Sequence, residues 1–209
     1  MSVEEPGAEL VEEIVPVGAA ELRVLRPRDS EELLDDEAFE HAEFLPYWAE
    51  MWPSGVTLAR DVAARSLRGA RTLELGCGLG LPSIAAALAG GRVLATDWSH
   101  DAIRLLGGNA ERSGAAIETL VCDWARPEPL LERAPWQLVL ASDVLYERRN
   151  VDQLLDLLPR LVDERGEILL ADPGRPNAES FIAAAGRIFE RRTTTHGRVS
   201  IHRLTRRRE

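Results

Sequence analysis

Thr72-Leu73-Glu74-Leu75-Gly76-Cys77-Gly78-Leu79-Gly80-Leu81-Pro82 decides how this chain is read. Leucines at 73 and 75, alternating glycines and a proline predict a buried strand, a turn almost bare of side chains and a helix start. Pro82 suits the first helical turn, where no N–H has an intrahelical partner. Downstream, Arg92-Val93-Leu94-Ala95-Thr96-Asp97 reads as a second buried strand closed by an acid. A bare turn lets a ligand lie against the backbone, and an acid ending the adjacent strand can grip a ribose through its hydroxyls. Together they predict a nucleoside-containing cofactor.

Nicotinamide folds place glycines as G-x-G-x-x-G, the third allowing close helix–strand packing. Here the pattern is Gly76-x-Gly78-x-Gly80, and Leu81 stands in that third slot. Glu74 is expected to add a carboxylate at the strand end, repelling a pyrophosphate and favouring a cationic ligand such as a sulfonium. Asp97 is expected to accept from both ribose hydroxyls, the geometry a carboxylate suits.

With these residues the chain resembles class I methyltransferases that use S-adenosylmethionine: Glu74 through Gly80 matches their first motif and Asp97 their ribose-binding acid. Val121-Cys122-Asp123-Trp124 ends a third strand, where that family holds the adenine. Leu138-Val139-Leu140-Ala141-Ser142-Asp143-Val144-Leu145-Tyr146 ends a fourth, beside the methyl group. Pro46-Tyr47-Trp48-Ala49-Glu50-Met51-Trp52-Pro53-Ser54-Gly55, Asp143-Val144-Leu145-Tyr146 and Asp172-Pro173-Gly174-Arg175 narrow the resemblance to methyltransferase family 16. That family includes protein-lysine methyltransferases, among them the group acting on the electron-transfer-flavoprotein β subunit.

The resemblance covers roughly residues 44–175. It implies that Trp52, Glu74, the turn residues Gly76, Cys77, Gly78 and Gly80, and Asp97, Trp98, Asp123, Trp124 and Ser142 hold S-adenosylmethionine, with S-adenosylhomocysteine as product. It implies that Asp143 and Tyr146 face the methyl acceptor. Read as side chains, Trp98 can lie against the adenine and Asp123 can accept from its amino group. Trp124 is either an aromatic wall or a core filler, and Trp52 either a ligand contact or lid packing. Glu74, Asp97, Asp123, Asp143 and Asp172 all fall at strand ends, so five acids are expected around one rim.

The hydrophobic share of 45% is that of a globular protein, and 209 residues suffice for one domain with a substantial core. Residues 1–53 are expected to form an N-terminal hairpin, an acidic helix and an aromatic lid, and 54–209 the catalytic core. No apolar run reaches the ~18 residues a bilayer span needs. The acidic start lacks a signal pattern, so no membrane association and a cytoplasmic location are expected. Cys77 and Cys122 read as reduced thiols, and His41, His100, His196 and His202 have no zinc spacing, so no metal is expected.

The net charge of −10 argues against general nucleic-acid binding. Residues 1–50 hold fifteen acids and three arginines, whereas 186–209 hold eight arginines and two glutamates. The acidic segment is either a solvated arm or a rim attracting a basic partner. All 25 basic residues are arginine, so a lysine-modifying enzyme of this sequence has no side-chain amine of its own to modify. A monomer is expected.

Ile14–Val17 and Glu21–Leu25 flank Gly18-Ala19-Ala20 as a hairpin, with Pro16 at an edge. A helix is expected over 29–43 and another over 54–67. Then strands 71–75, 92–96, 116–121, 136–141 and 167–171 alternate with helices 81–90, 99–113, 150–163 and 177–187, broken by an irregular stretch at 125–135. Residues 189–195 and 198–204 flank His196-Gly197 as a closing hairpin. This is an α/β, Rossmann-like, doubly wound, mostly parallel seven-stranded sheet, with a C-terminal antiparallel hairpin and a small N-terminal hairpin and helix.

For a lysine acceptor, Asp143 is assigned orientation of the amine rather than strong basicity. The competing readings are a small-molecule N- or O-methyltransferase, a nicotinamide-dependent oxidoreductase, and a non-catalytic module retaining a cofactor-like turn.

Overall fold

The computed structural model describes residues 9–33 and 46–207. Strands β1 (Leu10–Val17) and β2 (Ala20–Pro27) form an antiparallel hairpin. The main sheet comprises β3 (Arg71–Leu75), β4 (Arg92–Asp97), β5 (Glu118–Val121), β6 (Trp136–Ser142), β7 (Val162–Asp172), β8 (Phe189–His196) and β9 (Val199–Arg206). Its order is β5-β4-β3-β6-β7-β9-β8. The first five strands of that order run parallel, and β9 pairs antiparallel with both β7 and β8. This is the expected mostly parallel seven-stranded sheet with an antiparallel closing hairpin.

The helices are α1 (Pro53–Ala63), α2 (Leu81–Leu88), α3 (His100–Arg112), the single turn α4 (Glu128–Leu131), α5 (Arg148–Leu161) and α6 (Pro176–Ala185). They clothe both faces of the sheet, which is why its central strands are apolar on both sides. On β6, Val139 and Ala141 join the core under α5 and α6, while Leu138 and Leu140 join the core under α1 and α2. On β7, Ile168 and Leu170 divide from Leu169 and Ala171 in the same two-residue alternation.

The N-terminal hairpin adds a further layer on one side, with Val15, Val17, Leu22 and Val24 packed into the α1–α2 core. Asn109 on α3 fastens it. Its Oδ1 accepts from the Leu25 N–H at 2.7 Å, and its Nδ2 donates to the carbonyls of Leu25 (3.1 Å) and Leu79 (3.2 Å). One fully buried amide thus ties the hairpin to the glycine turn.

Four elements differ from expectation. The helix expected over 54–67 stops at Ala63. Strand β7 starts at Val162, directly from α5, where the alternation showed only 167–171. The sheet register shifts between Trp136 and Leu138 there, and a Cβ on Gly166 would stand 2.9 Å from the Trp136 carbonyl. Glycine therefore permits the irregularity. The stretch 125–135 carries the helical turn α4. Of the acidic helix expected over 29–43, Ser30–Leu33 is a 3-10 turn, and 34–43 lie outside the described residues.

Neighbour order reverses direction at β3, whose partners are β4 on one side and β6 on the other. In open α/β sheets ligands bind outside the carboxyl ends of the strands at such a switch point. The carboxyl ends of β3 and β6 are the glycine turn and Ser142-Asp143.

Candidate active site

A cleft of about 800 Å³ opens at that switch point. Its walls include Gly76, Cys77, Gly78, Gly80, Asp97, Trp98, Asp123, Trp124, Ser142, Asp143, Tyr146 and Trp52. Every expected site residue except Glu74 is therefore brought to one cavity.

The glycine turn is shaped by what presses on it. Gly80 has φ 84° and serves as the N-cap position of α2; a Cβ there would lie 2.3 Å from Leu106 Cδ1. Gly78 has φ 48°, and its Cβ would meet the Trp48 carbonyl oxygen at 3.1 Å. The turn is thus wedged between α3 and the aromatic segment, with no room for side chains.

Asp97 lies beneath it. Its Oδ2 accepts from the Gly78 N–H and its Oδ1 from the Ser99 N–H, both at 3.0 Å. Burial pushes its carboxyl up, against the opposing pull of the Ser99 and Gly78 amides. Each oxygen retains capacity for another donor. At the end of β5, Asp123 Oδ1 accepts from the Ala125 N–H at 2.8 Å. The Trp124 ring fills both readings at once: it lines the cleft and packs on the core under α5. Trp98 is the more open wall, 44% exposed.

Glu74 overturns part of the sequence argument. It is wholly buried and absent from the cleft wall. Its Oε2 accepts from the Ser83 N–H at 2.9 Å and from the Ser83 hydroxyl, so it anchors the first turn of α2 from below. Desolvation lifts its carboxyl to about 8, which leaves it mainly neutral at pH 7. Repulsion of a pyrophosphate by this residue is therefore not the basis of ligand choice. Asp172 is likewise not on the cleft wall: its Oδ1 accepts from the N–H groups of Gly174 and Arg175, both at 2.7 Å. Burial raises its carboxyl as well. The rim of five acids reduces to three, Asp97, Asp123 and Asp143.

The opposite side of the cleft is aromatic. Tyr47–Ala49 forms a 3-10 turn, and Trp52 Nε1–H donates to the Tyr47 carbonyl at 2.8 Å, folding this lid on itself. The Tyr47 ring lies 5.1 Å from that of Tyr146 and 6.5 Å from that of Trp52. Burial pushes the Tyr146 phenol up.

Asp143 sits among these rings in an unusual backbone state, φ 62°. Its N–H donates to the Ala171 carbonyl at 2.9 Å, so the sheet ladder itself sets the left-handed turn that follows β6. Asp143 Oδ1 accepts from Arg175 Nε, whereas its buried Oδ2 has no hydrogen-bond partner. The Arg175 guanidinium lies 5.4 Å from the Trp52 ring centroid and 6.0 Å from that of Tyr146. The sequence pattern holds Arg175 and Tyr47 but assigns neither a role at the site, and the structure brings both to the cleft wall. The usable signal was the tight Asp172-Pro173-Gly174-Arg175 turn at a strand's carboxyl end, which presents its last side chain over the switch point.

Among the described residues no group of three or more His, Cys, Asp or Glu gathers as a metal site, and no helix is long and apolar enough to cross a membrane.

The fold aligns over 95% of this chain, and 51% of the other, with the 16S rRNA N2 G1207 methyltransferase of T. thermophilus in complex with AdoMet and guanosine, at TM-score 0.71 and 14% identity. That likeness is one of fold. Residues 47–185 match the profile of the lysine methyltransferase family, Methyltransf_16, and the chain belongs to this family. It is 34% identical over 165 residues to the electron transfer flavoprotein beta subunit lysine methyltransferase of Xenopus laevis, covering 76% of this chain and 64% of that protein. The human protein of the same name is 33% identical over 169 residues, covering 75% of this chain and 59% of its own length. The chain thus spans about three-fifths of the length of these relatives.

Proposed function

We propose that this protein transfers a methyl group from S-adenosylmethionine to the side-chain nitrogen of a lysine in a protein acceptor. The observation that carries this reading is the junction of two unlike half-sites in one cleft. One is a glycine turn over Asp97, and the other is the carboxylate of Asp143 inside a wall of aromatic rings. The relatives' names support the lysine acceptor.

The residues present fit the cofactor. A Cβ at Gly76, Gly78 or Gly80 would press on Val144, Trp48 or Leu106, so glycine lets the turn keep its close-packed shape at the cleft wall, and Asp97 keeps acceptor capacity toward two ribose hydroxyls. Asp123 takes the adenine amino group, and Trp98 and Trp124 flank the base. Bound S-adenosylmethionine supplies an activated methyl on a sulfonium. The protein's own task is alignment and exclusion of water. Tyr47, Trp52 and Tyr146 close the acceptor end with rings whose faces suit a cation. Asp143 Oδ2 is the acceptor for an incoming amine N–H. Holding a lysine with an unperturbed pKa near 10.4 in its neutral form at pH 7 costs roughly 4–5 kcal/mol, which the site must offset. The free thiols Cys77 and Cys122 support a reducing compartment such as the cytoplasm.

The test is label transfer from methyl-tritiated S-adenosylmethionine into a cell extract, followed by acid precipitation and mass-spectrometric location of the methyl group. Label on precipitated protein lysines is expected. Label confined to soluble metabolites would move the assignment to a small-molecule methyltransferase. Calorimetric saturation by a dinucleotide, with no heat from S-adenosylhomocysteine, would end the methyltransferase reading altogether.

A further inference from the structure

Asp143 presents an energetic problem that the lysine reading makes acute. A bare carboxylate beside the acceptor amine would stabilise the ammonium, the form that has no lone pair to attack with. The structure contains a counterweight. Arg175 Nε donates to Asp143 Oδ1, at a carboxylate only 5% exposed. The guanidinium lies near the Trp52 and Tyr146 rings, and the two backbone bonds from Gly174 and Arg175 to Asp172 fix the turn that carries it. The second carboxylate oxygen is buried and has no hydrogen-bond partner, and Asp143 itself lines the cleft.

We infer that Arg175 is a positioning residue that balances the charge of Asp143, so that Asp143 orients the acceptor amine without holding it protonated. This rests on the lysine methyltransferase reading above. The ammonium releases one proton to water before attack. The nitrogen lone pair then forms the N–C bond, and the electrons of the broken C–S bond stay on sulfur. A guanidinium is suited to the role because it stays charged at every working pH and its planar face stacks on aromatic rings.

The other groups around this pair do not supply the same balance. From the lid come Tyr47 and Glu50, from the β6–α5 connection Tyr146, and from α5 Arg149, which pairs with Glu147 at 2.6 Å. From β4 comes Asp97, an anion that accepts from the Gly78 and Ser99 amides and so supplies no positive charge. From the end of β7 comes Asp172, whose Oδ1 is occupied by the Gly174 and Arg175 amides. Removing the Arg175 charge would leave Asp143 facing the amine with no cation bonded to it.

The experiment compares the wild type with Arg175→Gln and Arg175→Lys in label transfer to extract protein from pH 6 to 10. S-adenosylhomocysteine affinity is measured calorimetrically for each. For Arg175→Gln the acid limb of the rate profile is expected to move up by about one to two pH units. That is roughly a ten- to hundredfold loss at pH 7, with most of the rate recovered near pH 9.5. Product affinity should stay within about threefold of the wild type, which excludes a collapsed site. Arg175→Lys keeps the charge and should keep the limb near its wild-type position, even where the plateau rate falls. An Arg175→Gln profile lowered equally at every pH would overturn the inference and reduce Arg175 to lid packing. If the wild type binds S-adenosylhomocysteine but labels no protein, the lysine reading fails first and this inference with it; a limb that fails to move in an active enzyme sinks this inference alone.

Discussion

The two halves of the cleft are built in opposite ways. The half proposed to hold the nucleoside is local: one strand, one turn and the next strand, with Asp97 fastened by the backbone amides of Gly78 and Ser99. The half proposed for the acceptor is assembled from separate segments. The lid contributes Tyr47 and Trp52, the end of β6 contributes Asp143 and Tyr146, and the end of β7 contributes Arg175. The first half is held mainly by main-chain bonds, which constrain residue type little beyond glycine and an acid. The second is held by side chains, so its chemistry is free to differ between members of one fold.

Asp97→Ala offers the strongest way to break that comparison. It removes the carboxylate expected at the ribose hydroxyls and strands the Gly78 amide. S-adenosylhomocysteine affinity should fall by a hundredfold or more, about 3 kcal/mol at charged hydrogen-bond strengths, as read by calorimetry. Asp143→Ala should do the reverse. Turnover in the label-transfer assay is expected to fall about a hundredfold, with cofactor affinity nearly unchanged. Comparable losses of affinity in both variants would mean that the halves are one site energetically.

Glu74 sharpens the comparison from beneath the nucleoside half. Its folded carboxyl titrates at about 8, above its ordinary value of 4.5. Its contribution to stability is therefore complete below pH 4.5 and is lost progressively as pH rises through 8, because the unfolded chain gives up this proton first. Glu74→Gln, which keeps an acceptor for the Ser83 amide, should flatten this dependence. In urea titrations the variant should gain about 3–4 kcal/mol on the wild type between pH 5 and 8. Parallel pH curves would show that Glu74 is not protonated in the folded state. The smallest effect is expected from Tyr146→Phe. The ring contacts survive and only a phenol is lost, so turnover should drop less than about tenfold in the same assay. A loss matching that of Asp143→Ala would give the hydroxyl a direct role at the acceptor.

Much of this was legible in the chain because periodicity and turn chemistry are local. Leu73 and Leu75 announce a strand, the glycines a turn without side chains, and the helix–strand alternation a parallel sheet. The Val162 start of β7 was not legible, because the polar run Asp163-Glu164-Arg165 hides a strand that pairing with β6 near Trp136 sustains. Glu74 was misread for a related reason. Its position at the end of a strand is plain in the sequence, but whether the carboxylate faces the cleft or the helix below depends on which face of the strand carries α2 and Ser83.

The amino-acid order alone specified the α/β layering, the glycine turn and the placing of Asp97 beneath it, since neighbours along the chain build them. Only the tertiary structure decided that Arg175 meets Asp143 between Trp52 and Tyr146 and that Glu74 is withdrawn from the cleft. Those facts depend on how separately specified elements pack, and packing distances between remote residues are not encoded in any single stretch of sequence.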